Sequence, residues 1–402
     1  MKYILVLGDG MADYPISALD GGTPLSVSKT PYMDKMAKSG KQGVVKTVPT
    51  GFKPGSDVAN LGALGYDATK CYTGRSPLEA LSIGIKMEAD DLALRTNLVT
   101  LSDDAVFENK KMVDYSAGEI STAEARELIA FVGKNLGNDK FNFYSGVSYR
   151  HCLIIKHSSP NDILTPPHDI SGKVIGEYMP KGAYSSELTA LIKQSYELLK
   201  NHPINQKRVL NGQNPANSIW FWGEGTKPSL DNFSSRFHKT GGMISAVDLL
   251  KGIAIGSGMT SVDVVGATGT LSTNFDGKAA AAIKLLEDGL DFCMIHLEAP
   301  DECGHQGDLS GKIKAIELID QKIIGTIYEH FMSTGQPFAM LVMPDHFTPI
   351  SKLTHTSEPV PFLLYSSKQT LGSADAYNEK TAYATGNSYQ EPWKLTEEFL
   401  SL

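Results

Sequence analysis

The chain has 402 residues, of which 41% are hydrophobic, and a formal net charge of −8. This length allows two domains or one core with a large insertion, and the negative charge argues against nucleic acid as the main partner. No signal peptide or apolar stretch of ~20 residues is present, and the four cysteines form no C-x-x-C pair, so we expect a cytoplasmic protein without disulfides or a membrane anchor.

The first predicted strand, residues 3–7, ends at Gly8-Asp9-Gly10. Ligands of open α/β sheets bind beyond the carboxyl ends of the strands, and flanking glycines let the backbone come close to a ligand. An Asp after a first strand also serves as a helix cap or turn former. Asp9 is therefore a candidate ligand-binding carboxylate, with the structural role left open.

Ser56 follows the turn Pro54-Gly55 and has the character of a helix N-cap. At a helix N-terminus the backbone N–H groups and the helix dipole favour an anion such as a phosphoryl group. Ser56 is therefore a candidate nucleophile as well as a candidate cap, and the two roles are compatible.

Two arginines come next along the chain. Arg75 leads into a helical stretch and is either a solvated surface charge or an anion-binding group. Arg95 lies within a predicted apolar strand, residues 91–101, where a guanidinium needs a partner or an anionic ligand. Arg95 is the stronger candidate of the two.

The character of the sequence changes at about residue 103. Helices predicted at residues 122–136 and 186–201 flank a β-rich stretch at residues 142–156. We interpret residues 103–211 as an inserted α+β domain, and residues 1–102 and 212–402 as the core that carries it. Arg150 and His151, inside the insertion, are either an anion-binding pair or a charged edge.

The remaining chain alternates strands with helices. This order predicts an α/β fold with a largely parallel sheet covered by helices. The predicted strands are residues 218–222, 263–267, 291–297 and 338–343, and the predicted helices are residues 243–255, 276–288 and 312–331.

The last two of these strands end at acidic and imidazole side chains. The strand at residues 291–297 is followed by Asp301 and His305, whose spacing of four residues puts both on one face of a helix. The second ends just before Asp345 and His346, and His355 follows nine residues later. These residues therefore lie where an α/β enzyme places its chemistry.

Polar groups thus recur at predicted strand ends and helix starts. Carboxylate and imidazole ligands suit Zn, Mn and similar divalent ions, and two ions about 3.5–4 Å apart can clamp the attacking and leaving oxygens of a phosphoryl transfer. We therefore predict a two-metal site in which a metal-bound serine is the nucleophile. Its members are Asp9, Ser56, Asp301, His305, Asp345, His346 and His355.

The ordered set of these segments resembles the alkaline phosphatase superfamily. More closely, it resembles the archaeal-type, cofactor-independent (2,3-bisphosphoglycerate-independent) phosphoglycerate mutases. The similarity covers nearly the whole chain, including residues 149–151 and 218–225. The segments that carry it are GDG at residues 8–10, PGSDVAN at 54–60, YTGR at 72–75, EAPDECGH at 298–305, PDH at 344–346 and HT at 355–356.

The resemblance implies an alkaline-phosphatase-like core with an inserted lid. It implies a step of glycolysis and gluconeogenesis, the interconversion of 3-phosphoglycerate and 2-phosphoglycerate, with Ser56 passing through phosphoserine. Two divalent ions (Mn, Zn, Co or Mg) would be needed, and no 2,3-bisphosphoglycerate. One ion would be held by Asp301, His305 and His355, and the other by Asp9, Ser56, Asp345 and His346.

The resemblance also implies the groups that contact the substrate. Arg75, Arg95 and Lys239 would neutralise phosphoryl oxygens, and Arg150 and His151 would meet the small-molecule substrate from the lid. Closure of the lid would keep water from the phosphoserine. Homo-oligomerisation stays open.

One segment departs from the family pattern. Related sequences carry arginines where this chain has Tyr115, Ser116 and Glu119. This departure slightly favours an alternative, a metal-dependent phosphatase or a mutase of another small phosphorylated acid. A third interpretation, a non-catalytic binding protein, predicts the loss of Ser56 or of a metal ligand, and none is lost.

Overall fold

The computed structural model describes residues 1–402, and the chain divides into two units. Unit 1 comprises Met1–Tyr72 and Ser229–Leu402, and unit 2 comprises Thr73–Pro228. Unit 2 thus begins before residue 103 and ends after residue 211, which corrects the expected boundaries. The cause is strand pairing, because Leu92–Leu101 forms one sheet with the two strands Arg150–Ile155 and Ser218–Thr226.

The strands are β1 (Lys2–Gly8), β2 (Lys41–Val45), β3 (Leu92–Leu101), β4 (Met112–Asp114), β5 (Phe141–Val147), β6 (Arg150–Ile155), β7 (Asp162–Ile163), β8 (Lys181–Gly182), β9 (Ser218–Thr226), β10 (Gly241–Ile244), β11 (Thr260–Val262), β12 (Phe292–Leu297), β13 (Phe338–Met343), β14 (Val360–Ser366) and β15 (Ser388–Tyr389).

The α-helices are α1 (Pro24–Val27), α2 (Pro31–Ala37), α3 (Ser56–Ala63), α4 (Ala68–Cys71), α5 (Arg75–Ser82), α6 (Thr122–Leu136), α7 (Ser185–Leu199), α8 (Pro203–Leu210), α9 (Phe233–Phe237), α10 (Asp248–Gly256), α11 (Phe275–Glu287), α12 (Ala299–Gln306), α13 (Leu309–Leu318), α14 (Thr326–Thr334), α15 (Glu379–Ala384) and α16 (Pro392–Ser401). A π-helical turn, Ile319–Gly325, joins α13 to α14. Short 3-10 turns occupy Ser17–Leu19, Phe107–Asn109, Pro167–Ile170 and Ile175–Tyr178.

Unit 1 is built on an eight-stranded sheet in the order β11-β10-β12-β1-β13-β14-β2-β15. Its pairings are parallel, except that β14 runs antiparallel to both of its neighbours. Every residue of β12 and β13 is buried, as expected of parallel strands covered by helices on both faces. The predicted α/β fold with a largely parallel sheet is confirmed.

Unit 2 has its own antiparallel sheet, with strand order β4-β3-β6-β5 and with β9 beside β3. Helices α6 and α7 pack on this sheet over a separate apolar core. Each of the two units therefore has the core that a folding domain needs. None of the chain's helices combines the length and apolar character that crossing a bilayer requires.

Three predicted elements differ from the structure. The amphipathic helix expected at residues 243–255 is the buried strand β10 followed by α10, because Met243 and Ile244 pair in parallel with β12. The strand expected at residues 263–267 lies earlier, as β11. The long helix expected at residues 312–331 is interrupted by the π-helical turn, where buried Asp320 accepts backbone N–H groups of α2.

Candidate active site

Three adjacent parallel strands bring the predicted acidic residues together. In the sheet register Gly8 of β1 lies beside Leu297 of β12, and Leu7 of β1 beside Met343 of β13. Asp9 follows β1 directly, Asp345 follows β13 after one residue, and α12, which carries Asp301, begins two residues after β12. All three carboxylates are buried at this edge of the sheet.

Ser56 is the first residue of α3. Its Oγ lies 3.1 Å from Nε2 of His346 and 3.4 Å from Oδ2 of Asp9. Asn60, one helical turn later, donates its Nδ2 to the carbonyl oxygen of Ser56 at 2.8 Å and to Oδ2 of Asp345 at 2.9 Å. The start of α3 is therefore tied to the end of β13, and its N-terminus presents the serine hydroxyl to the acidic cluster.

Asp9, Asp345 and His346 form the first group of candidate metal ligands. One ligand atom from each lies within 4.8 Å of the others, and all three side chains are buried. Burial raises the pKa of Asp9 well above its usual range, and repulsion from Asp345 and Asp301 raises it further. A bound cation would offset both effects, because its positive charge stabilises the ionised carboxylates.

Asp301, His305 and His355 form the second group. Asp301 lies 3.2 Å from Nε2 of His305 and 3.3 Å from Nε2 of His355, and the two Nε2 atoms are 2.9 Å apart. The predicted common helix face of Asp301 and His305 is confirmed. The hydrogen bond with Asp301 raises the pKa of His305 to about 9. Burial favours the neutral form of Asp301, but these imidazoles hold its pKa below the usual range.

His346 connects the two groups. Its ring stacks on that of His355 with centroids 3.8 Å apart, and its ligand atom also lies within 4.8 Å of those of Asp301 and His355. The structure thus brings all seven predicted residues into one cluster, in which His346 lies within reach of both groups.

The donor set fits divalent cations. Buried Oδ1 of Asp9 has no hydrogen-bond partner, and such an orphaned oxygen is costly unless a ligand satisfies it. Carboxylate and imidazole side chains converge here with their lone pairs facing one another. These are the ligand types that bind Zn and similar ions. These residues therefore suit the ions that the sequence predicted.

Sequence reasoning missed His296. It lies inside the apolar strand β12, and its Nε2 is 2.9 Å from Oδ2 of Asp9, while its Nδ1 is 3.3 Å from Oγ of Ser245. Burial lowers its pKa to about 4. Its position next to the end of a strand was the available signal. Asn60 and Thr348 were also missed; Asn60 lies four residues after Ser56, the spacing of one helix face.

Unit 2 holds the predicted arginines. Nε of Arg95 lies 2.9 Å from Glu79, and its guanidinium stacks 4.1 Å from the ring centroid of Trp222. Nε of Arg75 lies 2.8 Å from the same Glu79. Burial, opposed by Glu79 and assisted by repulsion from Arg75 and Arg150, lowers the pKa of Arg95 to about 10. The guanidinium in the apolar strand thus has an acidic partner within a cationic cluster.

His151 is buried in unit 2. Its Nδ1 accepts the backbone N–H of Gly146 at 3.1 Å, and its Nε2 has no partner. Burial lowers its pKa to about 3, so the imidazole is neutral at physiological pH. Arg150 precedes it, with its guanidinium 5.9 Å from the ring centroid of Tyr149.

Lys239 is not part of the site, which corrects its prediction as a substrate-binding residue. Its Nζ lies 4.9 Å from the ring centroid of Tyr3. Tyr3 is at the amino end of β1, six residues before Asp9, which corresponds to roughly 20 Å along an extended strand. Lys239 therefore lies at the opposite end of the strands from the candidate active site.

The fold and this cluster define an α/β enzyme with a serine beside two groups of candidate metal ligands. A sequence model of the 2,3-bisphosphoglycerate-independent phosphoglycerate mutases matches residues 37–205. The enzyme of that name from Methanosarcina barkeri is 49% identical over 384 residues, which covers 95% of each chain. One from Methanothermobacter thermautotrophicus is 42% identical over 399 residues, covering 99% of this chain and 96% of that one. The chain belongs to this family of isomerases, as predicted.

Solved structures share the fold. A protein from Pyrococcus horikoshii superposes with a TM-score of 0.82 at 28% identity, covering 100% of this chain and 97% of that one. The cofactor-independent phosphoglycerate mutase from Thermoplasma acidophilum superposes with a TM-score of 0.69 at 24% identity, covering 100% and 99%. The architecture is therefore shared along the full length of the chain.

Proposed function

We propose that the chain interconverts 3-phosphoglycerate and 2-phosphoglycerate, without 2,3-bisphosphoglycerate, through a phosphoserine at Ser56. The observation that carries this proposal is the position of Ser56 Oγ at the N-terminus of α3, within 3.1 Å of His346 and 3.4 Å of Asp9. A serine that only began a helix would have no need of buried carboxylates and imidazoles around its hydroxyl. Membership of the mutase family supports the same reaction.

Two divalent cations belong to this proposal. Bound ions of this kind neutralise charge on the phosphoryl oxygens and on the attacking oxygen. The backbone N–H groups at the start of α3 act in the same direction. The proposed ligands are Asp301, His305 and His355 for one ion, and Asp9, Ser56, Asp345 and His346 for the other.

The transfer takes two in-line steps. Ser56 Oγ attacks phosphorus opposite the bond to the C3 oxygen; the P–Oγ bond forms, the P–O bond to glycerate breaks, and the departing oxygen gains the proton that the serine has lost. The C2 hydroxyl then attacks the phosphoserine, and Ser56 regains its proton. No water is consumed, so the isomerase has to keep water from the phosphoserine.

We further propose that the cationic cluster of unit 2 binds the anionic groups of the substrate. Arg95 is held between Glu79 and Trp222, so its guanidinium is preorganised for a carboxylate or phosphate. The unpartnered Nε2 of neutral His151 is a suitable donor. Arg75 and Arg150 complete the proposed set.

The test is phosphorus NMR of the metal-loaded protein with 3-phosphoglycerate and no added 2,3-bisphosphoglycerate. We expect a growing 2-phosphoglycerate signal, little free phosphate, loss of the reaction with a chelator, and its recovery with Mn, Zn, Co or Mg. Accumulating free phosphate would show a phosphatase instead.

A separate variant tests the assignment of Ser56 as the nucleophile. Ser56→Ala removes the only oxygen able to form the phosphoserine, so we expect the rate to fall by about 10⁴-fold or more with an unchanged circular dichroism spectrum. Ser401→Ala, an exposed serine in α16, is the matched control with full activity. An active Ser56→Ala variant contradicts the assignment.

A further inference from the structure

Thr348 touches both groups of candidate ligands. It is fully buried, three residues after Asp345. Its hydroxyl donates a hydrogen bond to Oδ1 of Asp301, and its Oγ1 lies 3.2 Å from Nδ1 of His346. One hydroxyl thus bridges a carboxylate of the second group and the imidazole that connects the groups.

The direction of these hydrogen bonds follows from the chemistry of the partners. A carboxylate only accepts, so the proton of Thr348 points to Asp301. The hydroxyl oxygen then offers a lone pair to Nδ1 of His346, and this nitrogen carries the imidazole proton. Nε2 of His346 therefore keeps its lone pair, and this lone pair faces Ser56 Oγ and the carboxylates of the first group.

The backbone of Thr348 is held by a buried lysine, and two glycines allow its close packing. Nζ of Lys312 donates to its carbonyl oxygen at 2.8 Å. A Cβ at Gly10 would come within 2.5 Å of Oγ1 of Thr348, and a Cβ at Gly304 within 2.5 Å of its carbonyl oxygen. Both glycines are thus needed for this close approach of the neighbouring backbone to Thr348.

We propose that Thr348 is a positioning residue, which holds His346 in the Nδ1-protonated tautomer and so prepares its Nε2 to bind a cation. The inference rests on the proposed two-cation site and deepens it. Partners that orient a ligating histidine through its other nitrogen typically change metal affinity 10–100-fold when removed. Removing the Thr348 hydroxyl also removes the hydrogen bond to Asp301, so both ligand groups depend on this hydroxyl.

The test compares three variants of the full chain. Thr348→Val keeps the branched shape and removes the hydroxyl, whereas Thr348→Ser keeps the hydroxyl. Thr47→Val is the matched control, because Thr47 is equally buried and its hydroxyl has no hydrogen-bond partner. The Mn²⁺ affinity of each is measured by calorimetry, and the tautomer of His346 by ¹⁵N NMR of the metal-free protein at pH 8.

We expect Thr348→Val to bind Mn²⁺ 10–100-fold more weakly and to shift His346 away from the Nδ1-protonated tautomer. Thr348→Ser and Thr47→Val stay within about threefold of the wild type. Unchanged affinity and tautomer in Thr348→Val overturn the inference.

The wild-type spectrum keeps the inference testable even if Thr348→Val does not fold. An Nε2-protonated His346 in the wild-type protein overturns the inference without any variant. Failure of the wild type to bind Mn²⁺ or Zn²⁺ overturns the two-cation site instead, while the NMR measurement still reports the tautomer. The two failures are therefore distinguishable.

Discussion

The buried ion pair of Lys312 and Asp13 holds the loops that follow β1 and β13. Nζ of Lys312 lies 2.7 Å from Oδ2 of Asp13, and it donates to the carbonyl oxygens of Ala12 at 3.3 Å and Thr348 at 2.8 Å. Both side chains are at most 1% exposed. Lys312→Met keeps an unbranched side chain one atom shorter and removes the cation together with three hydrogen bonds, so Asp13 is left buried without its counter-ion.

Removing one partner of a buried ion pair costs about 3–5 kcal/mol. Asp13 keeps backbone N–H bonds from Tyr14 at 2.8 Å and Ile350 at 3.1 Å, so we expect the lower end, about 3 kcal/mol. At roughly 2–4 °C per kcal/mol for a domain of 150–250 residues, the Tm of unit 1 falls by about 6–12 °C. Differential scanning calorimetry of the full chain measures this shift.

Lys314→Met is the matched control in the same helix, α13. Lys314 is 53% exposed and pairs with Glu317 only at 3.9 Å, so its loss changes stability by less than about 0.5 kcal/mol. Adding Asp13→Asn to Lys312→Met recovers part of the loss, because the uncompensated charge disappears. Equal melting of Lys312→Met and Lys314→Met would refute the reasoning.

Two further predictions concern stability. Burial raises the pKa of Asp320 from 3.8 to about 6. Between these values the folded state keeps a proton that the unfolded state has released, so the free energy of unfolding falls by about 3 kcal/mol as pH rises from about 4 to 6. Urea titrations should show this fall in the wild type and not in Asp320→Asn. The same pH dependence in both proteins contradicts the prediction. Gly304→Ala puts a Cβ 2.5 Å from the Thr348 carbonyl oxygen and costs about 2 kcal/mol. Gly133→Ala in α6, whose Cβ meets nothing nearer than 3.5 Å, gains up to about 1 kcal/mol; equal urea midpoints of the two variants contradict this steric argument.

The site could be predicted wherever an apolar run stops at a polar residue. Asp9, Asp345 and His346 follow β1 and β13, whose limits are visible as uninterrupted hydrophobic stretches. Asp301 and His305 could be paired because helical spacing is periodic. These signals are local in sequence, and the structure agrees with them.

The remaining features depend on long-range pairing. Whether β3 belongs to the main sheet or to unit 2 is decided by its partners β6 and β9, and no local pattern carries that information. His296 looks like a core residue in an apolar strand, and only the parallel register beside β1 brings it to Asp9. The prediction for Lys239 was wrong for the same reason, because the topology of the sheet decides at which end of the strands this residue lies.

The central position of β1 explains why the unbalanced negative charge of the site falls on Asp9. β1 lies between β12 and β13 in parallel register, so its carboxyl end receives His296 from one side and Asp345 from the other. Burial and the nearby carboxylates then raise the pKa of Asp9, and the neutral imidazole of His296 supplies a hydrogen bond but no positive charge. The sheet therefore forces a carboxylate into a place where only a proton or a cation can balance it. Since His346 lies within reach of both ligand groups, occupation of either group would change the electrostatic field at the other, so we expect the two proposed cations to bind interdependently.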